Sequence, residues 1–335
     1  MAQTRGPVTY LRCVLKLVLV FGTALTCSFA GAQQKESSMK RVKGPIVWLD
    51  MDQNELDDAY DQSVYAPNQA EVAKRRAAAS ARAINRIPPQ RMAYGSTEIE
   101  KLDIYKTKRP NAPVNVFIHG GAWRNGRSKD HAFPAEMFTV AGSHFVVPDF
   151  IAVQDAGGSL MPMAEQVRRA IAWVYKNAAT FGGDPNRIYI SGHSSGAHLA
   201  GVALITDWQK DFGVPADFIK GALLISGMYD LKPARLSKRS AYVKFDDAME
   251  DALSTQRYLQ RITAPVVIAH GTLETPEFQR QSRDFAAALK AAGKPVQFIV
   301  GEGLNHFEMA ETLGNPFGLA GRAALEQMGL SFGSN

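Results

Sequence analysis

Cysteine is nearly absent from this chain. Only Cys13 and Cys27 occur in 335 residues, so everything after residue 27 lacks a disulfide framework, a thiolate nucleophile and a cysteine metal ligand. Long apolar runs are scarce as well. The clearest one, Leu17–Ala30, is shorter than the ~20 residues that a membrane span requires. Arg5, Arg12 and Lys16 precede it, and Ala30-Gly31-Ala32 follows as a small-x-small site. This is the layout of a secretory signal. It predicts a signal segment over 1–32, an exported product (periplasmic or secreted) and no stable membrane span after cleavage. A strong charge of one sign is missing too. The formal charge is +6. Without the three basic residues of 1–32, 35 basic residues face 32 acidic ones, which argues against a nucleic-acid partner. No repeat or low-complexity tract is present.

The remaining ~300 residues suit one large α/β domain better than two. The expected divisions are a flexible leader with N-terminal helices over 33–93 and a catalytic domain over 94–335. Ala70–Ala83 is rich in alanine and arginine, both good helix formers, with Lys74, Arg75, Arg76 and Arg82 read as a solvated face. Asp50-Met51-Asp52-Gln53-Asn54 begins like a calcium loop, but Glu55 and Asp61 stand where glycine and glutamate belong. The segment reads as an acidic helix start. From residue 99 onward, strand-like and helix-like segments alternate. Strands are expected near 99–105, 114–118, 144–149, 187–191, 221–226, 265–270 and 296–300, mostly short and apolar as buried parallel strands are. Helices are expected over 163–179 and 276–292. The implied fold class is α/β, a mainly parallel central sheet with helices on both faces. Residues 232–262 break the alternation with a charged, mixed-helical segment, either a lid or a solvated connection.

Three segments carry chemistry. Gly192-His193-Ser194-Ser195-Gly196 lies between an apolar strand-like run and a helix-like run. A serine on such a sharp turn is pushed out at the carboxyl edge of a sheet, where a histidine can reach it. His119-Gly120-Gly121-Ala122-Trp123 follows a second apolar run. Its glycines let the backbone aim N–H groups at a developing oxyanion, and the donors expected are Gly121, Ala122 and Ser195. Gly303-Leu304-Asn305-His306-Phe307 lies after the last strand, and His306 best fits the chain order serine, acid, histidine. His131 and His144 precede the serine. His119 and His193 belong to the motif turns, His198 packs in the following helix, and His270 ends a strand. The acid expected, among three candidates, is Glu274. Glu274 follows the strand near 265–270, where it can accept an imidazole N–H. Glu277 just inside the next helix, and Asp230 at another strand end, are its rivals.

Together these stretches resemble the α/β-hydrolase superfamily, and within it arylformamidases (kynurenine formamidases) and hormone-sensitive-lipase-like esterases. The resemblance rests on HGGAW at 119–123, FGGDPNRIYISGHSSGAHLA at 181–200, ETPEFQRQS at 274–282, NHF at 305–307 and YGSTEIEKLDIY at 94–105. It extends from about Leu49 onward. It implies Ser194 as nucleophile, His306 as base, and the N-terminal helices as part of a cap over the cleft. Glu274 stands where the arylformamidase branch usually has aspartate.

The expected activity is hydrolysis of a small carboxylic ester through an acyl-enzyme on Ser194, with no metal or organic cofactor and a small-molecule ester or amide as the partner. Arylformamidase activity on N-formylkynurenine-like formamides is the alternative. A non-catalytic binding module is the reading from a different class. Trp123 and His193 are expected to line the substrate pocket. Phe150 and Met228 are expected beside it, which favours an aromatic or apolar substrate part.

Overall fold

The apolar segments that do not alternate in polarity lie in the middle of one eight-stranded sheet in the computed structural model, which describes residues 42–332. The strands are β1 (Gln90–Ala93), β2 (Lys101–Tyr105), β3 (Ala112–Ile118), β4 (His144–Pro148), β5 (Gly183–His193), β6 (Ile219–Ile225), β7 (Val266–Gly271) and β8 (Val296–Gly301). Their order across the sheet is β8-β7-β6-β5-β3-β4-β2-β1. The six strands from β3 to β8 run parallel, while β2 pairs antiparallel with β4 and with β1. Strand β1 has no counterpart among the expected strands. It is short, polar and largely exposed, so it has no apolar run to betray it.

Helices cover both faces. An N-terminal group comprises α1 (Gln53–Ala59), α2 (Gln62–Tyr65) and α3 (Gln69–Arg86). Then come α4 (Met161–Asn177), α5 (Ser195–Leu204), α6 (Pro276–Ala291), α7 (His306–Glu311) and α8 (Leu319–Gln327). Strand alternation splits the core in two. Val114, Val116, Ile118, Ile188, Ile190 and Leu224 point to the face covered by α4, α5 and α6. Phe117, Phe145, Val147, Leu223, Ile225 and Val267 point to the opposite face, covered by α8 and the helix Ala135–Val140. Helix α5 is buried along its whole length, as an apolar, all-round helix must be.

Among the described residues, those from Lys43 onward cluster as one compact unit. Segment 1–32, read as an export signal, and the leader up to residue 41 lie outside the described residues. The acidic segment near Asp52 is a helix start: Asp52 caps α1, and Glu55 returns a bond to the Asp52 N–H. Among the described residues, no helix is long and apolar enough to cross a membrane.

Residues 232–262 form short helices, Lys232–Leu236 and Asp247–Leu253, joined by 3-10 turns. They are not a solvated connection. Lys238 Nζ meets Asp61 at 2.6 Å, Gln53 donates to the Leu236 carbonyl at 2.9 Å, and Arg239 donates to the Tyr60 carbonyl at 3.3 Å. The segment is fastened to α1 and to the turn before α2.

Candidate active site

Ser194 sits between β5 and α5 with φ 58° and ψ −126°, a backbone conformation that costs roughly 1–3 kcal/mol for a residue with a Cβ. The neighbours enforce it. A Cβ on Gly196 would lie 2.0 Å from the Ile118 carbonyl oxygen, so the helix can start this close to β3 only with glycine there. The Ser194 N–H is held by the Ile225 carbonyl at the end of β6, at 2.9 Å. The hydroxyl meets His306 Nε2 at 2.9 Å.

His306 is the first residue of α7. Asn305 caps that helix by accepting from the N–H groups of Phe307 and Glu308, and Glu308 returns a bond to the Asn305 N–H. Asn68, which precedes α3, braces this cap by bonding both Asn305 and Glu308 at 2.7 Å. His306 Nδ1 lies 2.8 Å from Glu274 Oε2. An ionised carboxylate only accepts, so Nδ1 carries the proton and Nε2 is free to accept from Ser194. The other oxygen, Oε1, accepts from Ser226 Oγ at 2.6 Å and from the Gly271 N–H at 2.7 Å. Burial pushes the Glu274 carboxyl above its usual range, and the Ser226 and Gly271 bonds oppose this. Burial, then the cations Arg239 and Arg76, hold the His306 imidazole below its ordinary value.

The other acid candidates are engaged elsewhere. Glu277 accepts from Trp48 Nε1 at 3.2 Å and from Arg280 Nε at 2.6 Å. Asp230 caps its own turn through the Lys232 N–H. Neither reaches His306.

The turn after β3 has three consecutive residues at positive φ: Gly121 (123°), Ala122 (54°) and Trp123 (63°). A Cβ on Gly121 would sit 2.0 Å from the Asn125 oxygen. Trp123 N–H donates to Ser195 Oγ at 3.2 Å, which ties this turn to the start of α5. Among the described residues, the N–H groups of Gly121, Ala122 and Ser195 have no protein acceptor. Gly121 and Ala122 line the same opening as Ser194, where the chain leaves β3 toward β4 on one side and returns to β5 on the other. Ligands of parallel sheets bind at such a switch point.

Comparison with known proteins agrees with this architecture. The BD-FAE family model matches residues 102–222. A kynurenine formamidase from Danio rerio is 29% identical over 85% of this chain and 99% of its own length. Esterase LipQ from Mycobacterium tuberculosis is 30% identical over 57% of this chain and 50% of its own. An esterase from Thermogutta terrifontis, Est2, superposes with a TM-score of 0.57 at 22% identity, over 71% of this chain and 89% of that one. The chain has the α/β-hydrolase fold.

The opening beside Ser194 is a cavity of about 450 Å³. His193 lines it, as expected, and its buried Nε2 donates to the His306 carbonyl at 2.8 Å. Trp123 does not line it. Its ring lies behind the wall, with Nε1 donating to His198 Nδ1 at 3.2 Å. Phe150 and Met228 are also buried away from it, Phe150 stacked on His119 with centroids 4.2 Å apart. Trp123, Phe150 and Met228 therefore do not supply the apolar surface expected of them, and Phe307 lines the cavity instead. Its walls include Tyr60, Gln62, Gln69 and Arg76 from the N-terminal helices and Arg239 from the 232–262 segment.

Sequence reasoning missed these wall residues. The helix pattern held one usable signal: Val72, Arg76 and Ser80 recur at i, i+4, i+8, and both Val72 and Ser80 are buried. Arg76 thus belongs to the inner face of α3, unlike its exposed neighbours Lys74, Arg75 and Arg82. Nothing in the sequence marks Arg239. Among the described residues, no group of three or more His, Cys, Asp or Glu side chains is arranged to hold a metal ion.

Proposed function

We propose that this hydrolase cleaves small carboxylic esters through an acyl-enzyme on Ser194. The observation that carries the proposal is the unbroken hydrogen-bonded series Ser194–His306–Glu274 beside three unpaired backbone N–H groups. Ser194 Oγ attacks the ester carbonyl while His306 Nε2 takes its proton. Glu274 stabilises the imidazolium and holds the tautomer. The N–H groups of Gly121, Ala122 and Ser195 receive the oxyanion. His306 then protonates the departing alcohol, and water attacks the acyl-enzyme by the reverse path, releasing the acid and restoring the Ser194 hydroxyl.

A second reading has equal support. The same parts cleave a formamide, and the similarity to the Danio rerio kynurenine formamidase spans nearly all of that relative. N-formylkynurenine is the substrate to test for it.

The deciding measurement compares kcat/KM for a p-nitrophenyl acyl ester and for N-formylkynurenine, with Ser194→Ala as the blank. Ester preference lost in the variant supports the first reading, and formamide preference supports the second. Turnover that survives Ser194→Ala removes Ser194 as the nucleophile in both readings, and no turnover together with no organophosphate mass shift on Ser194 returns the fold to a binding role.

A further inference from the structure

We propose that Arg239 and Arg76 form a carboxylate-binding subsite in the cavity that holds Ser194, so that the preferred substrate carries a carboxylate away from its scissile carbonyl. The inference rests on the hydrolase reading above and names the substrate class of that site.

Several guanidinium groups elsewhere in the molecule are answered by buried carboxylates, whereas, among the described residues, half-buried Arg168 bonds only the Thr206 hydroxyl. Arg91 meets Asp103 and Asp149, Arg257 meets Glu250, and Arg280 meets Glu277, each of these carboxylates buried. Arg239 and Arg76 make no ion pair among the described residues. Arg239 is 5% exposed. It donates to neutral groups only, the Tyr242 hydroxyl at 3.0 Å and the Tyr60 carbonyl at 3.3 Å. Its plane is seated over the rings of Trp123 and Tyr60, 5.2 and 5.5 Å from their centroids. Arg76 contacts His131 Nδ1 at 3.2 Å and lies 5.0 Å over Phe133. In both, Nε is buried without a partner, and so are both amide atoms of Gln62 in the same wall. The one acidic side chain in that wall, Asp61, is already paired with Lys238.

Stacking on aromatic rings fixes a guanidinium but leaves its charge uncompensated. A buried, unpaired cation such as Arg239 is costly, and with the partly buried Arg76 on the same cavity wall, beside an unsatisfied amide, it makes sense when an anion completes the pair. A planar carboxylate is the natural partner of the guanidinium fork. The position has a catalytic consequence. Both cations share the cavity with His306 and disfavour its protonated form, which builds up in the transition state. A bound carboxylate offsets that field, so the gain is expected in kcat as well as in KM.

Two matched pairs test the proposal: 4-acetoxybenzoate against its methyl ester, and mono(p-nitrophenyl) adipate against p-nitrophenyl methyl adipate. One pair places the charge on the leaving group, the other on the acyl group. On at least one pair, the acid is expected to exceed the neutral ester in kcat/KM by about tenfold or more. That ratio should fall toward one in Arg239→Gln and in Arg76→Gln. Equal or inverted ratios on both pairs, with hydrolysis still dependent on Ser194, overturn the subsite and leave the esterase reading standing. Calorimetric titration of Ser194→Ala with benzoate, benzamide and inorganic phosphate gives a readout free of turnover. Benzoate bound in preference to the other two supports the subsite, while no preference over benzamide, or tighter phosphate, overturns it.

Discussion

At the scale of single residues, position decides which of several equivalent side chains can do chemistry. Glu274, Glu277 and Asp230 are carboxylates near strand ends on the same edge of the sheet. Only Glu274 is 2.8 Å from His306, with its second oxygen held by Ser226 and Gly271. Glu277 is neutralised by Arg280 and pinned by Trp48. Glu274→Gln keeps the size but removes the charge that stabilises an imidazolium, and it lets the wrong tautomer form. We expect kcat to fall by roughly 10³–10⁴-fold, less than in Ser194→Ala. Glu277→Gln leaves Arg280 short of a buried partner, so it should lower Tm while sparing kcat. Steady-state kinetics and thermal melts on the pair check both statements, and the reverse pattern would move the acid to Glu277. The motif residues Ser194 and His306 were legible in the sequence because each belongs to a local pattern. The acid was legible only as a preference for Glu274 over Glu277 and Asp230, because all three lie near strand ends and distance alone separates them.

Elements set the precision of the site. His306 opens a helix of six residues, too short to hold itself in place by its own hydrogen bonds. It is held by a reciprocal cap between Asn305 and Glu308, buttressed by Asn68 from the N-terminal group. Asn305→Ala removes the cap acceptor and the link to Asn68 together. Loss of the cap alone costs about 0.5–2 kcal/mol. We expect a lower Tm and a larger proportional fall in kcat than in KM, since a looser His306 harms proton transfer more than binding. Unchanged kcat would show that packing alone seats the base. The parallel strands and long helices of this architecture could be read from apolar runs and helical spacing. Strand β1 could not, because it is exposed and polar and exists only through its pairing with β2.

The whole molecule supplies what no segment contains. Arg76 and Arg239 are 163 positions apart, on α3 and on the segment that interrupts the sheet, yet both depress the proton affinity of His306. The sign follows directly. Burial first, and then the two cations, disfavour imidazolium against the pull of Glu274, so the base stays neutral and competent to lower pH than a free histidine. The acid limb of kcat/KM for a neutral ester should therefore lie below the ordinary histidine value of about 6.5. Arg239→Gln should move that limb to higher pH, and a pH–rate profile of the two proteins decides it. An unmoved limb would mean that the Arg239 charge does not reach His306. The amino-acid order by itself determined the alternating α/β plan, the serine turn, the glycine turn after β3 and the C-terminal histidine, because each is specified by neighbours within a few residues. Only the tertiary structure decided which carboxylate completes the series, that Trp123 stands behind the wall, and that the cavity is lined by unpaired cations. Those properties depend on side chains far apart in the chain meeting at one edge of the sheet, and local pattern carries no record of such meetings.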